Sequence, residues 1–201
     1  MGKPKPFFLK ETFEPMKTSL TSADRYYFMD ATHPTHNPVV GYSWAVRGQR
    51  PQILSNTGRQ RLNVLGAYSP LDQAYGGFET THNINAQSLL KLIDQLEKHQ
   101  PQGRIILFSD NARYNHARCV REYLQKPEGR VEIVYLPPYS PNLNLIERLW
   151  RFMKDRVLKN QYYATFPAFQ EAIQHCFAHL QEYADDLDYL MTENFQILNL
   201  V

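Results

Sequence analysis

Residues 104–135 read RIILFSDNARYNHARCVREYLQKPEGRVEIVY, and this stretch decides the fold. Arg104 to Phe108 is a short apolar run of the kind that fills a central strand. Ser109-Asp110-Asn111 punctuates it, a helix is expected from about Ala112 to Gln125, and Val131 to Tyr135 is the next strand. Strand, helix, strand implies a parallel pair joined by a right-handed crossover.

Upstream, Arg25 to Asp30 (RYYFMD) is an aromatic-rich strand that ends on an acid, after which HPTHNP (residues 33–38) interrupts with two prolines. Val39 to Val46 (VVGYSWAV) and Arg61 to Tyr68 (RLNVLGAY) are expected as further strands, with a turn around Arg47 to Pro51. Leu89, Leu90, Leu92, Ile93 and Leu96 form the apolar stripe of a helix that Asn83 or Asn85 caps and that ends before Pro101. Downstream, Pro137-Pro138-Tyr139-Ser140-Pro141 is a stiff loop leading into a helix from Asn142 to about Leu158. That helix carries Ile146, Leu149, Trp150, Met153 and Val157 on one face, and a last helix is expected from about Pro167 to Tyr183. The order of elements predicts an α/β fold, a mixed five-stranded sheet with helices on both faces.

A chain of 201 residues, 43% of them hydrophobic, can bury one substantial core. Residues 1–22, rich in Pro, Lys and Thr and without clear period, are expected as an N-terminal arm or linker remnant, and 23–201 as one domain. No apolar run approaches the roughly 20 residues needed to span a bilayer, and the N-terminus lacks a signal-peptide pattern, so a cytoplasmic protein is expected. Cys119 and Cys176 have no neighbours at zinc spacing and are expected to be reduced, buried thiols. A net charge of +2 permits nucleic-acid binding without arguing for it.

Chemistry concentrates in three acids. Asp30 and Asp110 each follow a run of strand residues, and in open α/β sheets functional groups collect at the carboxyl ends of strands. Should the first and fourth strands lie side by side, the two carboxylates would converge on a site for a hard divalent cation. Glu147 lies one turn into its helix, at the flank of the apolar stripe. Taken singly each has a plainer reading: Asp110 as a turn or cap residue, and Glu147 as the helical partner of Arg151. Asp24 competes with Asp30, but precedes its strand. Arg148, Arg151, Lys154, Arg156 and Lys159 make one strongly basic helix, equally consistent with a solvated face or a DNA contact. His33, His36 and His116 are candidates for contacting phosphate or assisting proton transfer, with hydrogen-bonding roles as the alternative. Trp44, Trp150 and the tyrosines are candidates for base stacking or for core. The acidic C-terminal stretch holding Glu182, Asp185, Asp186, Asp188 and Glu193 is expected to face away from DNA.

FSDNARYNHA around Asp110, followed by LPPYSPNLNLIERLW around Glu147, resembles the catalytic half of bacterial insertion-sequence transposases of the Tc/mariner superfamily, the insertion sequence 630 group. FMDATHP, GRQRLNVLGAY, INAQSLLKL and NQYYATF also resemble that group, so the likeness runs from about residue 25 to 175. It implies a ribonuclease H-like fold and Asp30, Asp110 and Glu147 as catalytic metal ligands for Mg²⁺ or Mn²⁺, two ions in all. It further implies DNA cleavage and strand transfer at TA targets. Arg148, Arg151, Lys154 and His116 are the expected DNA contacts. Transposon ends and target DNA are the expected partners, with room for a homodimer and for a separate helix-turn-helix polypeptide. Asp30 is followed by Ala31, where many relatives carry a second acid. The end-recognising helix-turn-helix region of full-length relatives is missing, as in a second reading frame, a truncated remnant or an excised piece. The alternatives are a nuclease on the same fold that cuts without joining, and an inactive DNA-binding remnant.

Overall fold

A computed structural model describes residues 5–195. Its sheet comprises β1 (Arg25–Thr32), β2 (Asn63–Ser69), β3 (Ala74–Thr80), β4 (Ile105–Ser109) and β5 (Val131–Tyr135), in the spatial order β3-β2-β1-β4-β5. β2 pairs antiparallel with both β1 and β3, while β1, β4 and β5 run parallel. The parallel crossover is the one expected from residues 104–135.

The helices are α1 (Lys5–Phe8), α2 (Glu14–Thr18), α3 (Ala86–His99), α4 (Arg118–Leu124), α5 (Ile146–Met153), α6 (Phe166–Ala178) and α7 (Ala184–Leu190). Alternation along the strands divides the core in two. Tyr26, Phe28, Ile106 and Phe108 pack with Leu149 and Trp150 of α5 and Phe169 and Ile173 of α6. Tyr27, Met29, Ile105 and Leu107 point the other way, toward Leu89, Leu92, Ile93 and Leu96 of α3 and Val120 of α4. Complete burial of side chains of this size contributes about 1.5–3 kcal/mol each, so this layering fixes where α5 lies on the sheet. Of the two candidate caps it is Asn85 that caps α3, accepting from the amides of Gln87 and Ser88.

Several expectations are corrected. Val39–Val46 is not a strand: the β2 place it would need beside β1 belongs to Asn63–Ser69, and β3 covers the far edge of β2. Val39 makes only an isolated bridge with Lys159, and Tyr42 and Trp44 are fully exposed. The third strand is instead Ala74–Thr80, masked in the sequence by Gly76 and Gly77. Those glycines leave room for Leu96 and for the Tyr75 hydroxyl, where a Cβ would come within 2.7 and 2.3 Å. The helix expected over 112–125 is a 3₁₀ turn, Arg113–His116, broken at the extended Ala117 before α4 begins. Around α5, Pro141–Leu143 is 3₁₀ and Lys154–Leu158 is a π-helical turn. The last expected helix stops at Ala178, and a 3₁₀ turn, Leu180–Tyr183, leads into α7.

The stretch expected as an N-terminal arm is helical over 5–18 and sends Phe8 and Phe13 into the core. Trp150 is buried, Cys176 is buried and Cys119 half-buried, and both thiols are free. Among the described residues no helix is long and apolar enough to cross a membrane.

Candidate active site

The register of the central strands brings two of the three acids together. Met29 of β1 lies opposite Ser109 of β4, so Asp30 and Asp110 are the next residues along adjacent parallel strands. Neighbouring strands lie about 4.8 Å apart. The sequence predicts that the first strand ends at Asp30, but β1 runs on through Ala31 and Thr32, paired only with β2, while β4 stops at Ser109. The β4 side of Asp30 is thereby left open. Asp30 shares the alternation of Tyr26 and Phe28, which puts it on the face that α5 covers. Glu147 sits in the first turn of that helix.

Two anchors set this arrangement. Asn115, buried, donates from Nδ2 to the Ser109 hydroxyl at 3.0 Å and to the Asp110 carbonyl at 3.0 Å, pinning the chain where it leaves β4. Asn144, also buried, donates to the Met29 carbonyl at 3.2 Å, and its own carbonyl accepts from the Glu147 amide at 3.1 Å. The Pro-rich loop and the start of α5 are therefore tied to the strand that carries Asp30. Sequence reading overlooked both asparagines, although each lies within the segments that carry the resemblance.

Asp30, Asp110 and Glu147 line one cleft of about 430 Å³, closed by Leu136, Asn144 and the loop Pro137–Pro141. Tyr139 stands on its lip, almost fully exposed, with a left-handed φ of 55° that a bulky side chain rarely adopts. Burial lifts the Asp30 carboxyl to about 7, the Ala31 amide opposes the shift, and the charges of Glu147 and Asp110 add to it. An Asp110 oxygen accepts from the Ala112 amide at 3.1 Å. The turn role considered for Asp110 is thus real, and coexists with its place in the cleft. Glu147 forms no ion pair with Arg151.

Among the described residues no lysine or arginine forms an ion pair with any of the three acids. Hard oxygen donors whose mutual repulsion the protein leaves uncompensated fit a divalent cation such as Mg²⁺ or Mn²⁺. Among the described residues no three His, Cys, Asp or Glu side chains stand close enough together to hold a metal ion by themselves, so the three acids line the cleft as an open, incomplete ligand set. Mg²⁺ suits such an open set, since it keeps several waters and takes substrate oxygens.

The other candidates separate clearly. Asp24 lies at the opposite end of β1, buried, accepting from the Arg104 amide at 2.7 Å and the Thr21 amide at 2.9 Å. These bonds hold its carboxyl well below the usual range, and its role is structural. Arg148 donates to the carbonyls of Leu190, Thr192 and Asn194, tethering the C-terminal segment. Arg151 is exposed and lines, with Glu147, a neighbouring cleft of about 750 Å³. Lys154 lies on the next turn, half-buried. His116 stacks on Tyr135 with ring centroids 4.6 Å apart and meets Asn111 at 3.2 Å. His36 is buried against Phe166 and Phe169, bonded to the Tyr163 carbonyl. Within the acidic C-terminal stretch, Asp186 pairs with Arg156, and Glu193 with Lys17 and Tyr26. A second cleft of about 430 Å³ opens beside Glu97, Tyr123 and Val131, but the Glu97 carboxylate there is already engaged by Tyr123 and Arg130.

Residues 25–170 match the family described as DDE superfamily endonuclease. The chain belongs to that superfamily. It is 25% identical over 158 residues to the insertion element IS630 uncharacterized 39 kDa protein of Shigella sonnei, covering 77% of this chain and 45% of that protein. It is 36% identical over 53 residues to the uncharacterized protein y4pE/y4sA of Sinorhizobium fredii, covering 26% of this chain and 37% of that one. The chain thus spans under half the length of these relatives. The Mos1 mariner paired-end complex with Mn matches with a TM-score of 0.65 at 18% identity, over 97% of this chain and 62% of that one. The catalytic domain of Mos1 mariner transposase matches with a TM-score of 0.59 at 15% identity, over 97% and 94%. The ribonuclease H-like DDE fold and the likeness to the insertion sequence 630 group, both expected from the sequence, are borne out.

Proposed function

We propose that the chain, with its helical residues 5–18 packed into the core, is the catalytic domain of a DNA transposase, with Asp30, Asp110 and Glu147 as its metal ligands. The observation that carries this reading is that three carboxylates, none of them in an ion pair among the described residues, line one cleft at the carboxyl edge of the parallel strands. Bound there, Mg²⁺ or Mn²⁺, as two ions, would activate the attacking oxygen and stabilise the leaving oxygen of an in-line displacement. Asp30 and Asp110 would share one ion and Glu147 would complete the site of the other. Mos1 has been crystallised with Mn and with Mg, in paired-end complexes, which supports the choice of ion and of DNA as partner.

The chain's own residues orient the strand. Arg151 offers the DNA backbone positive charge in the cleft that adjoins Glu147, and Lys154 adds to it from the next turn, outside that cleft. Arg148, committed to carbonyls, and His116, stacked on Tyr135, contribute mainly by holding the rim. Tyr139, whose ring stands free at the cleft lip, is placed to stack on a base next to the scissile phosphate. Asn115 and Asn144 keep the carboxylates in register while substrate binds. The reaction has two stages: hydrolysis at an element end, then attack of the released 3′-hydroxyl on target DNA at TA. Cleavage takes place on bacterial DNA in the cytoplasm, as a homodimer or beside a separate helix-turn-helix polypeptide.

The test is incubation of the protein with end-bearing duplex, a supercoiled target and Mg²⁺, followed by sequencing of junctions. Joined products at TA support the reading. Nicking without joining would reassign the chain as a nuclease on the same fold, and absence of both would make it an inactive remnant.

A further inference from the structure

Asp30 and Asp110 also line a second cleft, of about 410 Å³, on the side where Glu147 takes no part. Its other walls include His33, Arg61, Asn83 and Tyr114. Asp30, Asp110 and Ala112 are the residues common to both clefts. An in-line displacement needs room for two oxygens on opposite sides of phosphorus, and the aspartate pair is flanked by two such spaces.

The tautomer of His33 follows from a short chain of hydrogen bonds. The buried Asn63 donates from Nδ2 to the His82 carbonyl at 2.8 Å, and a carbonyl can only accept. Its amide orientation is thereby settled, and its Oδ1 faces His33 Nδ1 at 2.7 Å. Because Oδ1 also can only accept, Nδ1 must carry the proton. In the neutral ring Nε2 is then bare, an acceptor on a residue that lines the cleft beside both aspartates. Arg61, on the same wall, donates to Asn83 Oδ1 at 3.0 Å, which holds a positive charge at the cleft mouth where a phosphate would pass.

We propose that His33 is a further catalytic residue, the acceptor for the hydrogen of the attacking hydroxyl, with Asn63 as the positioning residue that fixes its tautomer. The inference rests on the transposase reading. In the step, the hydroxyl oxygen bonds to phosphorus as its proton passes to Nε2. The phosphorus–oxygen bond on the opposite side breaks, and the leaving oxygen keeps the electron pair and takes a proton from solvent. His33 later returns its proton to water. A ring with the reverse tautomer would present N–H to the attacking oxygen and could not accept.

Two measurements test this on the full chain. Imidazole ¹⁵N shifts of the free protein, taken at a pH where the ring is neutral, should show His33 protonated at Nδ1 and bare at Nε2, and a neutral ring with Nε2–H would overturn the proposal. Single-turnover cleavage of an end-bearing duplex in Mg²⁺ should fall about 100-fold or more in His33→Ala, with duplex affinity by anisotropy unchanged. His33 is exposed, so the variant should fold. An undiminished rate in His33→Ala, beside an inactive Asp110→Asn, overturns the role of His33 alone. An undiminished rate in Asp110→Asn overturns the transposase reading itself.

Discussion

The Asn144 side chain donates to the carbonyl of Met29, the residue immediately before Asp30, at a distance of 3.2 Å. One amide thus ties the loop that precedes Glu147 to the strand that holds Asp30. The Asn144 Oδ1 atom has no protein partner. Replacement by Leu removes the tie to the Met29 carbonyl, at a cost of about 1 kcal/mol. Asn144→Leu should therefore lower the rate of DNA cleavage more than it weakens DNA affinity, as read from single-turnover kinetics and anisotropy.

Gly66 lies opposite Asp30 in the β1–β2 register. A Cβ at this position would come within 2.7 Å of the Tyr75 ring and 2.9 Å of the Trp150 ring. Trp150 is one turn beyond Glu147 on α5, so crowding it pushes the helix away from the sheet. Gly66→Ala should cost about 1–3 kcal/mol by denaturant unfolding and reduce cleavage beyond what unfolding accounts for.

Burial, with the charges of Glu147 and Asp110 beside it, pushes the Asp30 carboxyl well above its ordinary 3.8, up to about 7. Its protonated form is favoured by folding, so its contribution is fully present below about pH 4 and is lost as pH rises through 7. Removing the charge should stabilise the metal-free protein at pH 8, with Asp30→Asn melting higher than wild type. Metal binding must displace the proton, so calorimetry in buffers of different ionisation enthalpy should show about one proton released near pH 6 and almost none at pH 8.5.

Asp24 shows the opposite sign. Its carboxyl is held well below the ordinary range, chiefly by backbone amides of Thr21 and Arg104, so the stability it supplies is present above about pH 4 and lost as pH falls. Asp24→Ala should cost about 3 kcal/mol at pH 7 and less in acid, measured by chemical denaturation. Metal uptake should be unaffected, because Asp24 sits at the far end of β1.

Arg148 and Arg151, three residues apart on α5, should separate by assay. Arg148→Ala releases the three carbonyls of the C-terminal segment and should lower stability by about 1–3 kcal/mol. Arg151→Ala, in an exposed side chain, should leave stability within about 0.5 kcal/mol. Its DNA affinity should fall, with the logarithmic salt slope reduced by about 1.

Legibility in the sequence followed the physics of each element. The run Ile105–Phe108 and the stripe Leu89, Leu92, Ile93 and Leu96 face one dominant environment, and both were readable. Val39–Val46 alternates like a strand, but alternation does not say whether a sheet edge is available, and here both edges of β2 are taken. Gly76 and Gly77 hide β3 because the space their missing side chains leave is filled by Leu96 and Tyr75 from elsewhere in the chain. At the site, flanking motifs singled out Asp30, Asp110 and Glu147. The anchoring role of Asn144, the tautomer of His33 and the commitment of Arg148 depend on partners dozens of residues away. Local pattern carries no record of those.

The most direct test of the central claim is Mg²⁺-dependent nicking of end-bearing duplex by wild type and Asp110→Asn, side by side, with folding of both checked by circular dichroism. The account predicts nicking that requires Mg²⁺ in wild type and a loss of at least about 1000-fold in the variant. Equal nicking by the two folded proteins would contradict it.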